Sequence, residues 1–284
     1  MALPMSGKKL NALGDRLAQS ASPDDADLVQ LESVLACYDE ALGSVRDRLV
    51  SLGFVPTTRL KTTTTLIEKL RRQETMKLRT VQDVAGARIV VNGGLIDQDA
   101  AERLIISEFT DESGVPRKVD RRETPSSGYR AVHVVVKQDD VWVEIQIRTV
   151  AQNRWAQIYE SLGDLWGRGI RYNGAPIDPD GPAFPEGGSE ITRQSLVDTM
   201  LDLSRSIARA EDLAKLIDEY KMSSAQVQTL DRSRYGEEGS PTPERLTRRT
   251  MIEVDELKAR HAKAEDTNKT LMHLLEQVFE VSEV

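Results

Sequence analysis

One stretch of the chain carries polar side chains in a pattern that could do chemistry. Residues 127–156 read SGYRAVHVVVKQDDVWVEIQIRTVAQNRWA, with two valine- and isoleucine-rich runs on either side of Asp139-Asp140. If the two aspartates form a two-residue hairpin loop, strand alternation gives one uniformly β-branched face. The other face then carries an acid, an amide, a base and an imidazole. These polar residues are His133, Glu144, Gln146 and Arg148.

A water-exposed sheet face would also carry polar residues, so this pattern has a plain alternative. The upstream segment TTRLKTTTTLIEKLRRQ adds a group of cations. Such cations could bind phosphate groups, arginine through paired hydrogen bonds and lysine as a mobile charge, or they could form an ordinary basic helix face in water. They are Arg59, Lys61, Lys69, Arg71 and Arg72.

A possible metal site involves two carboxylates. The segment VQDVAGARIVV places Asp83 just before Gly86, and Arg88 enters a strand there. An aspartate and a glutamate on neighbouring elements, beside several cations, could hold Mg²⁺ against a polyphosphate. Asp83 and Glu144 are the candidates.

Bulk composition limits the class of protein. The chain has 284 residues, which favours one domain plus an extension, and a net charge of −8 argues against non-specific coating of nucleic acid. Its single cysteine, Cys37, excludes an intramolecular disulfide and fits a reducing compartment. We find no run of about 18 apolar residues and no apolar secretory signal. We therefore expect no membrane span and a cytoplasmic location.

The hydrophobic pattern predicts a mixed α/β order with an antiparallel hairpin at its centre. Ser22 is the expected N-cap of a helix that Gly53 ends. Further helices are predicted over 64–77, 99–109 and 151–165, and strands over 87–91, 131–138 and 141–147. Residues 1–21 are expected to be a flexible N-terminus.

The chain beyond residue 172 has a different character. Residues 173–189 are dense in Gly and Pro and are predicted to be a linker. Residues 190–284 form a predicted helical extension, whose last helix is expected over 243–278 with Thr242 as its cap. The apolar stripes of this extension could pack on the chain's own core or could pair subunits in a homo-oligomer.

Four segments, in order, resemble the RelA/SpoT alarmone synthetase family: RLKTTTTLIEKLRR, DVAGARIVV, SGYRAVH and VEIQIRTVAQNRWA. The resemblance covers residues 50 to 172 approximately and implies a synthetase domain over 22–172. It implies a nucleotidyltransferase-like mixed β-sheet flanked by helices. The implied reaction moves the β,γ-pyrophosphate of ATP to the 3′-hydroxyl of a guanosine nucleotide (GDP or GTP), giving a (p)ppGpp-type alarmone and AMP.

The resemblance also implies a role for each matched residue. Asp83 and Glu144 would bind Mg²⁺, Glu144 would help to deprotonate the attacking hydroxyl, and Tyr129 would stack on the acceptor base. The residues implied to hold ATP are Arg59, Lys61, Lys69, Arg72 and Arg88. The residues implied to position the acceptor are His133, Gln146, Arg148 and Asn153, with Gln146 also in the catalytic set.

Two departures from the family pattern bear on the acceptor and on hydrolysis. Where guanosine-type synthetases carry Pro-Lys-x-Asn, this chain has Thr124-Pro125-Ser126-Ser127. A toxin that pyrophosphorylates the tRNA 3′ end, held by an antitoxin partner, is therefore an alternative, and a catalytically silent binding module is a third. No His-Asp pair of the family's hydrolase domain is present. The residues that could form a basic patch for tRNA, or merely a solvated strand edge, are Arg117, Lys118, Arg121 and Arg122.

Overall fold

A computed structural model describes residues 3–73, 75–111, 114–184, 191–235 and 244–278. Contacts between residues divide the chain into two compact units. The sheet unit comprises Met1–Val91, Gln98–Asp120 and Ala131–Arg148. The helical unit comprises Asn92–Asp97, Arg121–Arg130 and Thr149–Val284. Both units are discontinuous in sequence, unlike the consecutive domains that we predicted.

The sheet unit is built on a β-sheet flanked by helices, which confirms the predicted fold class. Its described strands follow the order β1-β2-β5-β4-β3. They are β1 (Thr57–Leu60), β2 (Ala85–Val91), β3 (Arg117–Asp120), β4 (Val132–Gln138) and β5 (Val141–Thr149). The helices that precede β5 in the chain are α1 (Gly7–Gln19), α2 (Asp25–Ser51), α3 (Thr63–Arg72) and α4 (Leu95–Phe109).

The hairpin of β4 and β5 has the predicted register. Gln138 pairs with Val141 and His133 with Gln146, so the loop is Asp139-Asp140. Asp139 has φ 52°, a left-handed conformation that aspartate tolerates better than most residues. The core face is formed by Val132, Val134, Val136, Val141, Val143, Ile145 and Ile147, all at most 1% exposed. The opposite face is free to carry polar groups.

The N-terminal region differs from the predicted flexible segment. Residues Gly7–Gln19 form α1, and Leu10, Leu13 and Leu17 are fully buried in the core of the sheet unit. Their spacing of three and four residues puts them on one helix face. The next helix is capped by Asp24, whose side chain accepts a hydrogen bond from the backbone N–H of Asp27, rather than by Ser22.

The helical unit has its own core, formed by α5 (Val150–Trp166), α6 (Arg193–Tyr235) and α7 (Glu244–Val278). Trp155 of α5 donates a hydrogen bond from Nε1 to the Met200 carbonyl of α6, at 2.7 Å. Met272 of α7 is buried in the same core. The extension therefore packs on its own chain, which is one of the two predicted alternatives, and it does so together with α5.

The predicted linker is ordered where the structure describes it. The Ile177 N–H donates to the Trp166 carbonyl at 2.7 Å, and Ala183 is buried. Residues 185–190, which complete the linker and begin the extension, lie outside the described residues, as do Thr242 and Pro243 at the expected start of the last helix. No helix in the described ranges combines the length and apolarity that crossing a membrane requires.

Candidate active site

A chain of side-chain hydrogen bonds runs along the polar face of the β4–β5 hairpin. Arg148 donates from Nη2 to Gln146 Oε1 at 2.8 Å, and Gln146 donates from Nε2 to Glu144 Oε2 at 2.9 Å. The other carboxylate oxygen, Glu144 Oε1, lies 2.9 Å from His133 Nδ1. The four polar residues predicted to share a face therefore form one connected row, because alternate residues of a strand point to the same side.

A second carboxylate, Asp83, lies between two lysines in the same unit. Lys69 Nζ is 2.5 Å from Asp83 Oδ1, and Lys61 Nζ is 3.2 Å from Asp83 Oδ2. Lys61 directly follows β1, Lys69 stands on the last turn of α3, and Asp83 precedes β2. Thr62 caps α3 and so fixes where this helix begins. The structure brings together three of the residues that the sequence assigned to phosphate and metal.

Both carboxylates are held ionised, against the effect of burial. Burial raises the pKa of Asp83, but the charges and hydrogen bonds of Lys61 and Lys69 outweigh burial and leave the pKa below its ordinary value. Burial also raises the pKa of Glu144, and Asp83 adds to that rise. The hydrogen bond and charge of His133, with the hydrogen bond from Gln146, outweigh these effects and lower the pKa of Glu144.

Two arginines extend this face toward the edge of the sheet. Arg59 on β1 is exposed and lies opposite Gly86 of β2. Arg88 on β2 lies opposite Thr57 and donates to its hydroxyl from Nε at 3.2 Å. Since directly opposed residues of antiparallel strands share a face, Arg59 and Gly86 lie on one side of the sheet.

Arg72, another predicted ATP-binding residue, lies at a different place from the Asp83–Lys61–Lys69 cluster. It is exposed at the end of α3 and lines a shallow recess with Thr75, Met76 and Thr80. The neighbouring Arg71, also considered from the sequence, donates to the Ser20 carbonyl. Of the cations in this segment, Lys61 and Lys69 are the ones that contact Asp83.

Tyr129 and Asn153 belong to the helical unit. Tyr129 is partly buried against the core of that unit, at the end of a turn in which Ser127 and Gly128 have φ of 47° and 80°. A Cβ at Gly128 would lie 2.9 Å from Trp155 Cζ2, so glycine is required both for conformation and for space. Asn153 is only 6% exposed and donates from Nδ2 to Gln157 Oε1 at 3.4 Å.

Sequence reasoning missed Arg130, which secures the turn that bears Tyr129. Arg130 donates from Nη1 to the Arg122 carbonyl at 2.5 Å and from Nε to Ser204 Oγ at 3.2 Å. Ser204 in turn donates to the Gly128 carbonyl at 2.5 Å. The arginine of the GYR motif was the available signal, but its partner on α6 lies too far along the chain for a local pattern to reveal.

The candidate basic patch divides between a strand edge and a turn. Arg117 and Lys118 lie on the edge strand β3, as the solvated-edge alternative proposed. Lys118 Nζ is 2.8 Å from Glu102 Oε2 and 3.7 Å from Asp120 Oδ2. Arg121 and Arg122, in the helical unit, are partly buried. One of the four cations is thus neutralised by two carboxylates.

Comparisons with known proteins identify the family of this chain. A model described as a region found in RelA/SpoT proteins matches residues 58–162. An uncharacterized protein of Mycobacterium tuberculosis is 35% identical over 213 residues, covering 73% of this chain and 75% of the relative. The chain belongs to the RelA/SpoT family. The GTP pyrophosphokinase YjbM of Bacillus subtilis is 34% identical to this RelA/SpoT protein over 116 residues, covering 37% of the chain and 54% of YjbM.

A solved structure is similar over a larger share of the chain. The small alarmone synthetase 1 of Bacillus subtilis matches with a TM-score of 0.48 and 23% identity, covering 70% of this chain and 98% of that one. The RelA/SpoT region itself, 58–162, contains every candidate site residue from Arg59 to Asn153. It ends within α5, so α6 and α7 lie beyond the matched region.

Proposed function

We propose that this protein transfers the β,γ-pyrophosphate of ATP to the 3′-hydroxyl of a guanosine nucleotide. The observation that carries the proposal is the connected row His133–Glu144–Gln146–Arg148, in one unit with the Asp83–Lys61–Lys69 cluster. Phosphoryl-type transfer needs positioning and charge neutralisation more than it needs a protein nucleophile. The site supplies cations and ionised carboxylates in that combination.

In the proposed step, the acceptor 3′-oxygen attacks the β-phosphorus of ATP. The new O–P bond forms as the bond from the β-phosphorus to the α,β-bridging oxygen breaks, and AMP leaves with that oxygen and its electron pair. Glu144 accepts the proton of the attacking hydroxyl, since its carboxylate is ionised before the reaction. The proton on Glu144 then passes to water, which regenerates the carboxylate.

The donor set fits Mg²⁺. Oxygen ligands from carboxylates are what this ion prefers, and Asp83 and Glu144 are both held ionised. Bound Mg²⁺ would neutralise charge on the β- and γ-phosphates. Among the described residues no group of three His, Cys, Asp or Glu side chains could hold a metal, so an ion held by Asp83 and Glu144 would need water and substrate oxygens as further ligands.

The remaining residues have positioning roles in this proposal. Lys61, Lys69, Arg59 and Arg88 bind the ATP phosphates, for which arginine and lysine are suited. Arg148 orients Gln146 through its hydrogen bond, and Gln146 and His133 together fix the Glu144 carboxylate. Tyr129 stacks on the guanine base.

A nucleotide acceptor is favoured over tRNA by the charge of the candidate patch. Lys118 is paired with Glu102 and Asp120, which reduces the positive charge available to an RNA backbone. Residues 124–127 lack the Lys and Asn of the guanosine-type synthetase pattern, so tRNA is the alternative acceptor that the experiment must test.

The test is an acceptor competition with the full chain. Purified protein is incubated with ATP, Mg²⁺ and either GDP, GTP or deacylated tRNA, and AMP release and the acceptor product are measured by mass spectrometry. We expect AMP release with GDP or GTP and a product that has gained a pyrophosphate. Transfer to tRNA alone would replace the proposal with a translation-inhibiting toxin. No AMP release with any acceptor, from folded protein, would favour a silent binding module.

A further inference from the structure

The helical unit contains a cavity that the proposed transfer reaction does not use. Its volume is about 480 Å³, and its walls come from α5, α6, α7 and the segment from Asn92 to Gly94. Small-molecule sites typically have volumes of about 300–1,000 Å³ and mostly apolar walls with a few polar groups. Ile207, Ala214 and Met272 supply apolar wall here, and Glu211 and His261 supply polar groups.

The two strong cations that line this cavity are already neutralised. Arg154 on α5 donates from Nε to Glu276 Oε1 at 2.6 Å and makes a second bond to the other carboxylate oxygen. Lys269 Nζ lies 2.5 Å from Glu265 Oε1, one turn away on α7. Neither cation therefore leaves a positive charge in the cavity that would attract an anion.

Glu211 on α6 has neutral hydrogen-bond donors. Thr149 donates its hydroxyl at 2.5 Å, and Gln152 donates from Nε2 at 2.9 Å. In the part of the chain that the structure describes, no lysine, arginine or histidine forms an ion pair with Glu211. Burial raises the pKa of this carboxyl and the charge of Asp212 adds to that rise; the hydrogen bonds from Thr149 and Gln152 and the charge of Arg122 offset the rise only in part. Arg130 also interacts electrostatically with Glu211. A buried carboxylate with neutral partners is stabilised by a cation that enters beside it.

His261 is a second polar residue of the cavity wall, and it could form a hydrogen bond to a ligand. Its Nδ1 atom is buried and makes no hydrogen bond to any described residue. The nearest carboxylate oxygen, Glu265 Oε2, is 3.9 Å away, which is beyond hydrogen-bond distance. Buried polar atoms of native proteins usually have a partner, so this nitrogen has an unmet hydrogen bond.

We propose that this cavity binds a small organic cation, an ammonium or guanidinium group attached to an apolar body. The positive charge would meet Glu211, and the apolar body would contact Ile207 and Met272. A polar atom of the ligand would complete the hydrogen bonding of His261 Nδ1. None of the residues that line the cavity is among those assigned to pyrophosphate transfer, and the proposal does not depend on that activity.

The experiment compares three probes of one shape by calorimetry and ligand-observed NMR on the full chain. The probes are 2-phenylethylamine, which is cationic at neutral pH, 2-phenylethanol, which is neutral, and 3-phenylpropionate, which is anionic. We expect saturable binding of the amine in the millimolar range or tighter, as suits a ligand of this size. We expect the alcohol to bind about tenfold more weakly and the anion to bind least.

Substitutions inside and outside the cavity test whether the amine binds there. Glu211→Gln is expected to weaken amine binding by about tenfold, because a charge-assisted contact is lost, and Ala214→Phe is expected to abolish it by filling the cavity. Glu219→Gln is the matched control, since this exposed carboxylate of α6 does not line the cavity, and its binding should equal that of the unchanged protein.

Three results would overturn the proposal: no saturable amine binding, anion binding as tight as amine binding, or equal amine affinity in the Glu211→Gln and Glu219→Gln variants. Circular dichroism checks that each variant is folded. If Glu211→Gln does not fold, two other results test the proposal. They are the ranking of the three probes on the unchanged chain and the binding of the amine to the Ala214→Phe variant.

Discussion

Glu144 and Glu211 are both largely buried, yet the pKa of Glu144 is lowered and the pKa of Glu211 is raised. In the sheet unit, His133 and Gln146 lower the pKa of Glu144 despite its burial. In the helical unit, Glu211 accepts hydrogen bonds from Thr149 and Gln152, and burial raises its pKa. The difference shows that burial alone does not set the charge of a carboxyl group; the identity of its donors decides the outcome. The hydrogen bonds and charge around Glu144 favour its ionised form, whereas Thr149 and Gln152, which donate to Glu211, are neutral and the charge of Arg122 only partly offsets its burial.

The largest expected effect is on transfer, and it tests the role given to Glu144. Glu144→Gln keeps the size of the side chain but cannot accept the hydroxyl proton, so we expect kcat to fall by about 10²–10⁴-fold. The measurement is AMP release under saturating ATP and acceptor. Glu160→Gln, an exposed carboxylate on α5, is the control. Activity within a few-fold of the unchanged protein would show that Glu144 is not the base.

Asp83→Asn tests the proposed role of Asp83 in binding Mg²⁺. Asparagine would keep a weak oxygen ligand, so we expect the Mg²⁺ concentration needed for half-maximal transfer to rise by at least about tenfold. The measurement is a Mg²⁺ titration of AMP release. An unchanged titration curve would remove Asp83 from the metal site.

The next effect concerns stability and tests the core of the sheet unit. Leu13→Ala in α1 removes a fully buried side chain, so we expect the free energy of unfolding to fall by about 2–5 kcal/mol. Lys8→Ala, on the exposed side of the same helix, is the control. Urea unfolding measures both variants. Equal stability of the two would mean that α1 is not part of this core.

Tyr129→Ala tests whether the turn of the helical unit serves the acceptor. Stacking on a base contributes about 1–3 kcal/mol, so we expect acceptor binding to weaken by roughly tenfold to a hundredfold. The Kd for ATP should change far less. Calorimetry with GDP and with a non-hydrolysable ATP analogue gives both constants. Equal losses for the two nucleotides would exclude Tyr129 from the acceptor role.

The smallest effect concerns pH and sharpens the contrast between the two carboxylates. The folded pKa of Glu211 is raised, so its stabilising effect is present below the unfolded pKa of about 4.3 and is lost as pH rises through the folded value. The folded pKa of Glu144 is lowered, so its contribution is present above the unfolded value and is lost as pH falls.

Glu211→Gln should therefore raise the Tm relative to the unchanged protein at neutral pH, by a few degrees, and leave it little changed or lower at pH 4. Thermal unfolding by circular dichroism across this pH range measures the effect. If the Glu211→Gln variant is less stable by the same amount at every pH, ionisation of the buried Glu211 carboxyl does not destabilise the folded protein.

The sequence predicted local features of this molecule well and distant partnerships poorly. The hairpin register follows from alternation and from Asp139-Asp140, both of which are local, and it places Glu144 beside His133 as observed. The helix α1 was missed because its stripe of three leucines is short and sits among lysines and polar residues. The exposed edge strand β1 was missed because its side chains do not alternate between apolar and polar.

Interactions between distant segments account for the rest. Asp83 was predicted beside cations, but no local pattern could select Lys61 and Lys69 over Arg72. The division into units could not be predicted either, because α5 begins within the last synthetase motif and yet shares its core with α6 and α7.

The hydrogen bonds of Arg130 have a consequence for the order in which the nascent chain matures. Arg130 and its partner Ser204 are separated by 74 positions. At about 5–20 residues per second, the ribosome needs roughly 4–15 s to make that stretch. The turn that carries Tyr129 is synthesised early but gains its partner late, after the last strand of the sheet unit has been made. A chain whose synthesis stopped before α6 would contain the Glu144 row and lack the two hydrogen bonds of Ser204 that help to secure Tyr129.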